Sequence, residues 1–510
     1  VSSSYYDVVV LGTDLAPLTC AALLAKRGFR VAVLGQQTER ADYAVGPYRL
    51  PRQPFSFTAS HSPLARRIFG ELGLSQSLRR LSTPLEPAFQ VALRGHRFDM
   101  LADEAGLEAE IEREFPEVKR PILDFRRRTQ ERARITDQLL EPDIAWPPES
   151  LLDRRAIARL AARLDLERGG AGMGLLSELA DAHPFRAAVL GSIAFDAHLD
   201  LDSVSELQLT RLWSGRLREP AVLAGGLAAL SDLLADKIRS HSGQLLLRER
   251  ASQINLRRSG VQGVRLFGSD QEIGAAVVIA GVDVASVQRL LADRSPFEQM
   301  FERLGEPQPR FYRYTLNAVV DARGVPEGMK RDVFYVRDSD KPLCSDNLLH
   351  VELSRLDERE SLLCVEALLP SRTVEDRDGS LDDVRERLMH SLGDLVPFVR
   401  NHLKLLDSPH DGQKPWARDA GSPHGTVPLE RRGPQTMPVV HAFPVTTALS
   451  VCAMPVKTPI RGLLLCNQQV APGLGLEGEL VAAVSAAKIV RGSDRSREWL
   501  RRRLWTKVEI

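Results

Sequence analysis

Asp14 and Pro17 interrupt what is otherwise a phosphate-binding turn. The stretch DVVVLGTDLAPLTCAALLAKRGFRVAVLGQ, residues 7 to 36, reads as strand, tight turn, helix and second strand. In a Gly-x-Gly-x-x-Gly turn the first glycine makes the bend and the second admits a pyrophosphate to the backbone. The third lets helix and strand pack closely. Gly12 keeps the first role, and Thr13, Leu15 and Ala16 complete the turn and the helix start. Asp14 brings a side chain and a negative charge to the second place. Two unit charges about 4 Å apart repel by roughly 4 kcal/mol at an effective dielectric near 20. Pro17 adds a ring where the helix should meet the strand. Asp14 also has a purely local reading, as a cap on free helix N–H groups.

The ribose of a dinucleotide normally hydrogen-bonds an acidic residue at the end of the second strand. Gly35 stands there, with Gln36, Gln37 and Glu39 as partial substitutes. Eleven histidines are spread without metal-ligand spacing, so no metal site is expected. No GxSxG motif, Cys/His pair or Walker-type loop occurs.

The elements around these residues are legible. DVVVLG is a β-branched run suited to a strand buried on both faces. The helix that follows ends at Gly28, and FRVAVLG is a second parallel strand. Residues 36 to 63 are polar and rich in Gly and Pro, which predicts an extended loop. AFQVALRGHRFD predicts a hairpin turning at Arg94-Gly95, and about a hundred residues of helical pattern follow. At residue 224 the first style returns, as a helix after a glycine pair and then three strands ending in Val277–Ile279. Residues 300 to 440 mix strand-like runs with one helix, and 461 to 490 read as strand, Gly-rich turn and helix.

Those three pieces, at 7–36, 224–285 and 461–490, resemble in their order the phytoene desaturase, monoamine oxidase and GDP-dissociation-inhibitor superfamily. The resemblance implies an FAD-type nucleotide-binding domain. It implies that the backbone of Ala251 meets the adenine, and that an aspartate after the last strand holds the ribityl and phosphate region. Asn467 occupies that last place. It further implies that the helix start at Gly475 and Leu476 faces the isoalloxazine. By the same resemblance His441 precedes a run near the flavin face and His424 lies on a loop that could line the cavity. Both are candidates for direct chemistry, beside the blander reading of hydrogen-bonded surface or interface residues.

The expected fold is α/β: a Rossmann-like FAD-type domain from 1–85, 216–295 and 440–490, plus a mixed α+β substrate-type domain. The second comes from two insertions, 86–215 and 296–439, and a basic C-terminal helix spans 491–510. Lys+Arg of 68 against Asp+Glu of 67 gives no global pull toward nucleic acid. Five scattered cysteines without a CxxC pair fit a reducing compartment, and no apolar run is long enough to span a bilayer. A cytoplasmic location is expected, with peripheral membrane contact through the basic C-terminus as a variant of it.

Changes at Asp14, Pro17, Gly35 and Asn467 together predict FAD bound weakly or not at all. The expected role is then a degenerate oxidoreductase fold that binds an apolar small molecule or a protein partner. The alternative is an active FAD-dependent oxidoreductase of the phytoene-desaturase type, acting on an isoprenoid or another apolar substrate.

Overall fold

The structure is a computed structural model. It describes residues 5–141, 145–148, 151–163, 172–257, 260–269, 271–375, 381–418, 434–443, 451 and 453–505, with side chains to residue 493. Its first sheet grows around the strand Tyr5–Leu11, whose Val8, Val9, Val10 and Leu11 are fully buried. Consecutive β-branched residues suit a strand covered on both faces. This strand pairs in parallel with Val31–Leu34 on one side and Glu272–Ala280 on the other. Gln244–Leu246 closes one edge, while Gly260–Leu266 and Ala251–Arg257 extend the other. Leu463–Leu465 adds in parallel to the C-terminal half of Glu272–Ala280. Three widely separated stretches of chain therefore build one sheet.

The first helix, Leu15–Lys26, has no polar face: every residue from Leu15 to Ala25 is buried. Such a helix must be enclosed. It lies against the helix Gly226–Ser240 and the last helix, Gly475–Trp505, as well as the sheet. Gly28, at φ +85°, terminates it in the left-handed conformation that a side chain would resist. The obstruction expected from Pro17 does not arise. Its ring lies over Gly281 at the end of the neighbouring strand, where a Cβ would come within 2.5 Å of Pro17 Cγ. A glycine missing from the helix is matched by one present on the strand.

Among the described residues the second sheet has nine strands and centres on Gln308–Asp321. This strand pairs antiparallel with Glu360–Pro370, Leu403–Asp407 and Val439–Ala442. Leu348–Arg355, Asp332–Val336 and the hairpin Phe89–Leu93/His96–Met100 continue the sheet, with the hairpin turning at Arg94-Gly95. The helices Glu104–Glu114, Lys119–Leu140, Leu151–Arg163, Pro184–Ala194 and Glu206–Leu217 fill the region of helical pattern.

The loop expected over 36–63 contains a hairpin instead, Asp42–Val45 with Tyr48–Pro51. Tyr43, Val45 and Leu50 pack on Val319, Leu362 and Leu405 of the second sheet. Apolar burial from outside the segment outweighs its polar composition. The helix Gly475–Trp505 runs without a break past residue 491.

Candidate functional site in the crevice of the first sheet

Open α/β sheets bind ligands in the crevice beyond the carboxyl ends of their strands. The turn after Tyr5–Leu11 sets one corner of it. Gly12 adopts φ +103°, and a Cβ there would meet Thr38 Oγ1 at 3.3 Å. Asp14 takes the N-cap position of the first helix, but its side chain makes no capping hydrogen bond. That corrects the local reading of Asp14 as a cap. The backbone N–H of Ala16 donates instead to Glu479 Oε2 at 3.2 Å, from the last helix.

Two carboxylates therefore share this corner. Asp14 keeps solvent contact, yet it lies deep enough among protein atoms that desolvation pushes its carboxyl up to about 6. Burial, and then the charge of Asp14, push Glu479 up to about 7, with the Ala16 N–H and Arg313 pulling the other way. Thr13 is half-buried, and Leu15 and Ala16 are buried beside them.

The second corner follows Val31–Leu34. A Cβ on Gly35 would lie 2.0 Å from the Leu247 carbonyl oxygen, so no acidic side chain fits where a ribose would need one. Gln36 and Gln37 follow at φ +50° and +60°. The Gln36 carboxamide accepts from the Ala251 N–H at 2.8 Å and donates to the Ala251 carbonyl at 3.1 Å. Glu39 turns away to Arg52, at 3.3 Å.

The third corner links Asn467 to His441 through Gln469. Asn467 donates to the Val282 carbonyl at 2.6 Å and accepts from the Gln469 N–H at 3.0 Å. Gln469 Nε2 lies 3.3 Å from His441 Nε2, and burial lowers the His441 pKa. Gly475, at φ +58°, packs against Asp196 and Leu212, and Leu476 is half-buried. His424 lies outside the described residues.

Three participants carried no motif signal. Glu479 sits in GLEGEL just past Glu477, the acid of the first turn of that helix, so its position marked no helix-end role. Leu247 contributes only a carbonyl, which no sequence pattern marks. His198 adopts φ +51°, and among the described residues its Nδ1 has no partner. Burial first, then the neighbouring Arg313, bring its pKa down to about 3. The chain around it bridges to His441, and the Asp200 N–H donates to the His441 carbonyl at 2.9 Å.

Behind this corner a buried line of charge ties the helix Glu206–Leu217 to the second sheet. Arg216 Nη1 lies 3.0 Å from Asp332, whose other oxygen meets His350 Nε2. Arg313 grips Glu366 through two bonds of 2.7 and 2.9 Å. Among the described residues no group of His, Cys, Asp or Glu is placed to hold a metal ion. Among them, too, no helix is long and apolar enough to cross a membrane.

Comparison with known proteins agrees with this architecture. The family model of flavin containing amine oxidoreductases matches residues 51–313, just over half of the chain. No curated protein matches. Among solved structures, an oxidoreductase from Methanosarcina mazei is 16% identical with a TM-score of 0.57, covering 94% of this chain and 99% of its own. Putrescine oxidase bound to putrescine is 14% identical with a TM-score of 0.58, covering 96% and 99%. Cyclohexylamine oxidase from Brevibacterium oxydans is 15% identical with a TM-score of 0.55, covering 96% and 99%. At these identities the solved structures speak for the fold alone.

Proposed function

Because the chain belongs to the flavin containing amine oxidoreductase family, we propose that it keeps the family fold while its own side chains close the dinucleotide crevice, making it a binding protein rather than a flavin-driven enzyme. The observation that carries this reading is the Glu479 carboxylate on the Ala16 N–H. A diphosphate at the first helix would have to displace that carboxylate and then sit beside Asp14. Each close pair of like charges costs roughly 4 kcal/mol before solvent screening at an effective dielectric near 20. Gly35 offers no acid for a ribose, and Asn467 has both ends of its amide engaged within the protein. The residues present do not fit FAD.

The ligand we propose for this protein is a small apolar molecule. A small apolar recess with a cavity volume of about 20 Å³ lies between Leu139, Leu140, Trp146, Leu207 and Leu474, with Arg211 as one wall. That is room for about one water molecule, so a ligand has to part these side chains to enter. A protein partner is the other occupant consistent with this reading.

The second reading is an active flavoenzyme acting on an apolar substrate. The family match and the retained Gly12 turn favour it. An absorbance scan of freshly purified protein separates the two readings. Colourless protein whose melting temperature ignores added FAD is expected. Stoichiometric bound flavin overturns the first reading and establishes the second.

A further inference from the structure

We propose that Gln36 is a built-in substitute for a nucleobase, occupying the hydrogen-bonding edge that an adenine would otherwise use. This rests on the reading that the crevice is closed, and it names the device that closes its base-binding end.

Ala251 opens the strand Ala251–Arg257, which forms one edge of the first sheet. On an antiparallel edge strand alternate residues turn their N–H and C=O outward, and buried groups of that kind must find a partner. Ala251 is buried, and both of its outward groups are taken by the Gln36 carboxamide. That carboxamide presents one acceptor and one donor side by side. An adenine edge presents the same pair, a ring nitrogen acceptor beside the exocyclic N6 amino donor. The two groups are interchangeable toward one peptide N–H and C=O.

Position supports the substitution. Gln36 directly follows the place where a bound dinucleotide has its ribose anchor, so it lies at the adenosine end of the crevice. The chain around it is held from both sides. Gly35 N–H donates to the Leu246 carbonyl and Gln36 N–H to the Glu249 carbonyl, each at 3.2 Å. Gln36 makes these bonds while holding φ +50°, a left-handed conformation unfavourable for a glutamine. A strained backbone persists where the surrounding contacts over-determine it, and here those contacts are the two bonds to Ala251.

Adenosine is the proper probe, because it carries no phosphate to be repelled by Asp14 and Glu479. Gln36→Gly removes the carboxamide and tolerates the left-handed backbone, and Gln36→Ala provides a second route to the same opening. Calorimetric titration of adenosine, with ribose as the control, should show no saturable binding to the wild type. Either variant, its fold checked by thermal melting, should bind adenosine tighter than the wild type by roughly tenfold or more, and ribose no better. Saturable adenosine binding by the wild type, or folded variants that remain silent, overturns the inference. Equal gains for ribose overturn it as well, since they reveal opened space without base recognition. Should neither variant fold, amide exchange at Ala251 in the wild type decides. Slow exchange unchanged by millimolar adenosine supports the substitute, and rapid exchange refutes it. Colourless wild-type protein with silent folded variants sinks this inference alone. Flavin on the wild type sinks the reading beneath it.

Discussion

His350 Nε2 stands 2.5 Å from Asp332 Oδ1, with its ring stacked on Phe334 at a centroid distance of 4.4 Å. Burial pulls the His350 pKa down, but Asp332, assisted by Glu366, more than offsets this and leaves it above the ordinary value. Burial likewise opposes ionisation of Asp332, and His350 and Arg216 overcome it, holding the carboxyl down to about 2. The pair is an ionic clasp inside the molecule.

Its pH dependence follows from the raised histidine. The stabilisation is complete below the unfolded histidine value and is lost as pH rises through the higher folded one. His350→Gln should therefore destabilise by roughly 3 kcal/mol in mildly acidic buffer, with the gap narrowing as the medium becomes alkaline. Urea unfolding at several pH values measures this; a gap that does not change with pH would mean that the ring matters only for packing.

Glu479 predicts a loss in the same direction, but from an unfavourable contact rather than a favourable one. Its folded pKa of about 7 exceeds the ordinary 4.5, so between those values the native state holds the extra proton. Native stability must fall as pH rises across that window. Glu479→Gln keeps an acceptor for the Ala16 N–H and removes the charge. The variant should melt with the wild type near pH 5 and above it near pH 8, by at most roughly 3 kcal/mol. Matching melting curves at both pH values would show that Glu479 is not strained by its neighbour.

Gly35 allows a steric test. Gly35→Ala places a methyl group against the Leu247 carbonyl and should cost roughly 1–3 kcal/mol or more. Gly35→Asp, which restores the acid of an ordinary ribose anchor, should unfold the second corner rather than recruit a nucleotide. Thermal melting with and without ADP reads both effects; a stable Gly35→Asp protein that gains ADP binding would contradict the close contact.

His198 is neutral in the folded state, at a pKa of about 3. Unfolded chains bind its proton below the ordinary value of 6.5, so stability drains away as pH falls from there. His198→Asn, which tolerates the left-handed backbone, should blunt this acid sensitivity. An unaltered acid-unfolding midpoint would assign that sensitivity to other groups.

The fold was largely written in local patterns. Val8 to Val10, Gly12, Gly28 and the strand runs at 272–280 and 463–465 announce their elements because each obeys short-range rules. The hairpin at 42–51 was hidden, since what holds it is apolar surface contributed by Val319, Leu362 and Leu405. The crevice was legible only as missing anchors. What fills it depends on partners remote in sequence: Glu479 reaches Ala16 across 463 positions, and Gln36 reaches Ala251 across 215. Nor could the turn reveal that Gly281 makes room for Pro17.

The threading of the first sheet also bears on how the protein is made. Tyr5–Leu11 and one neighbour, Val31–Leu34, are translated long before the strand on the other side, residues 272–280, and before the strand at 463–465. At ordinary elongation rates of about 5–20 residues per second, the nascent chain carries an uncovered apolar strand for on the order of ten seconds or more. Synthesis of this protein should therefore lean on chaperones that shield such edges until those later strands arrive.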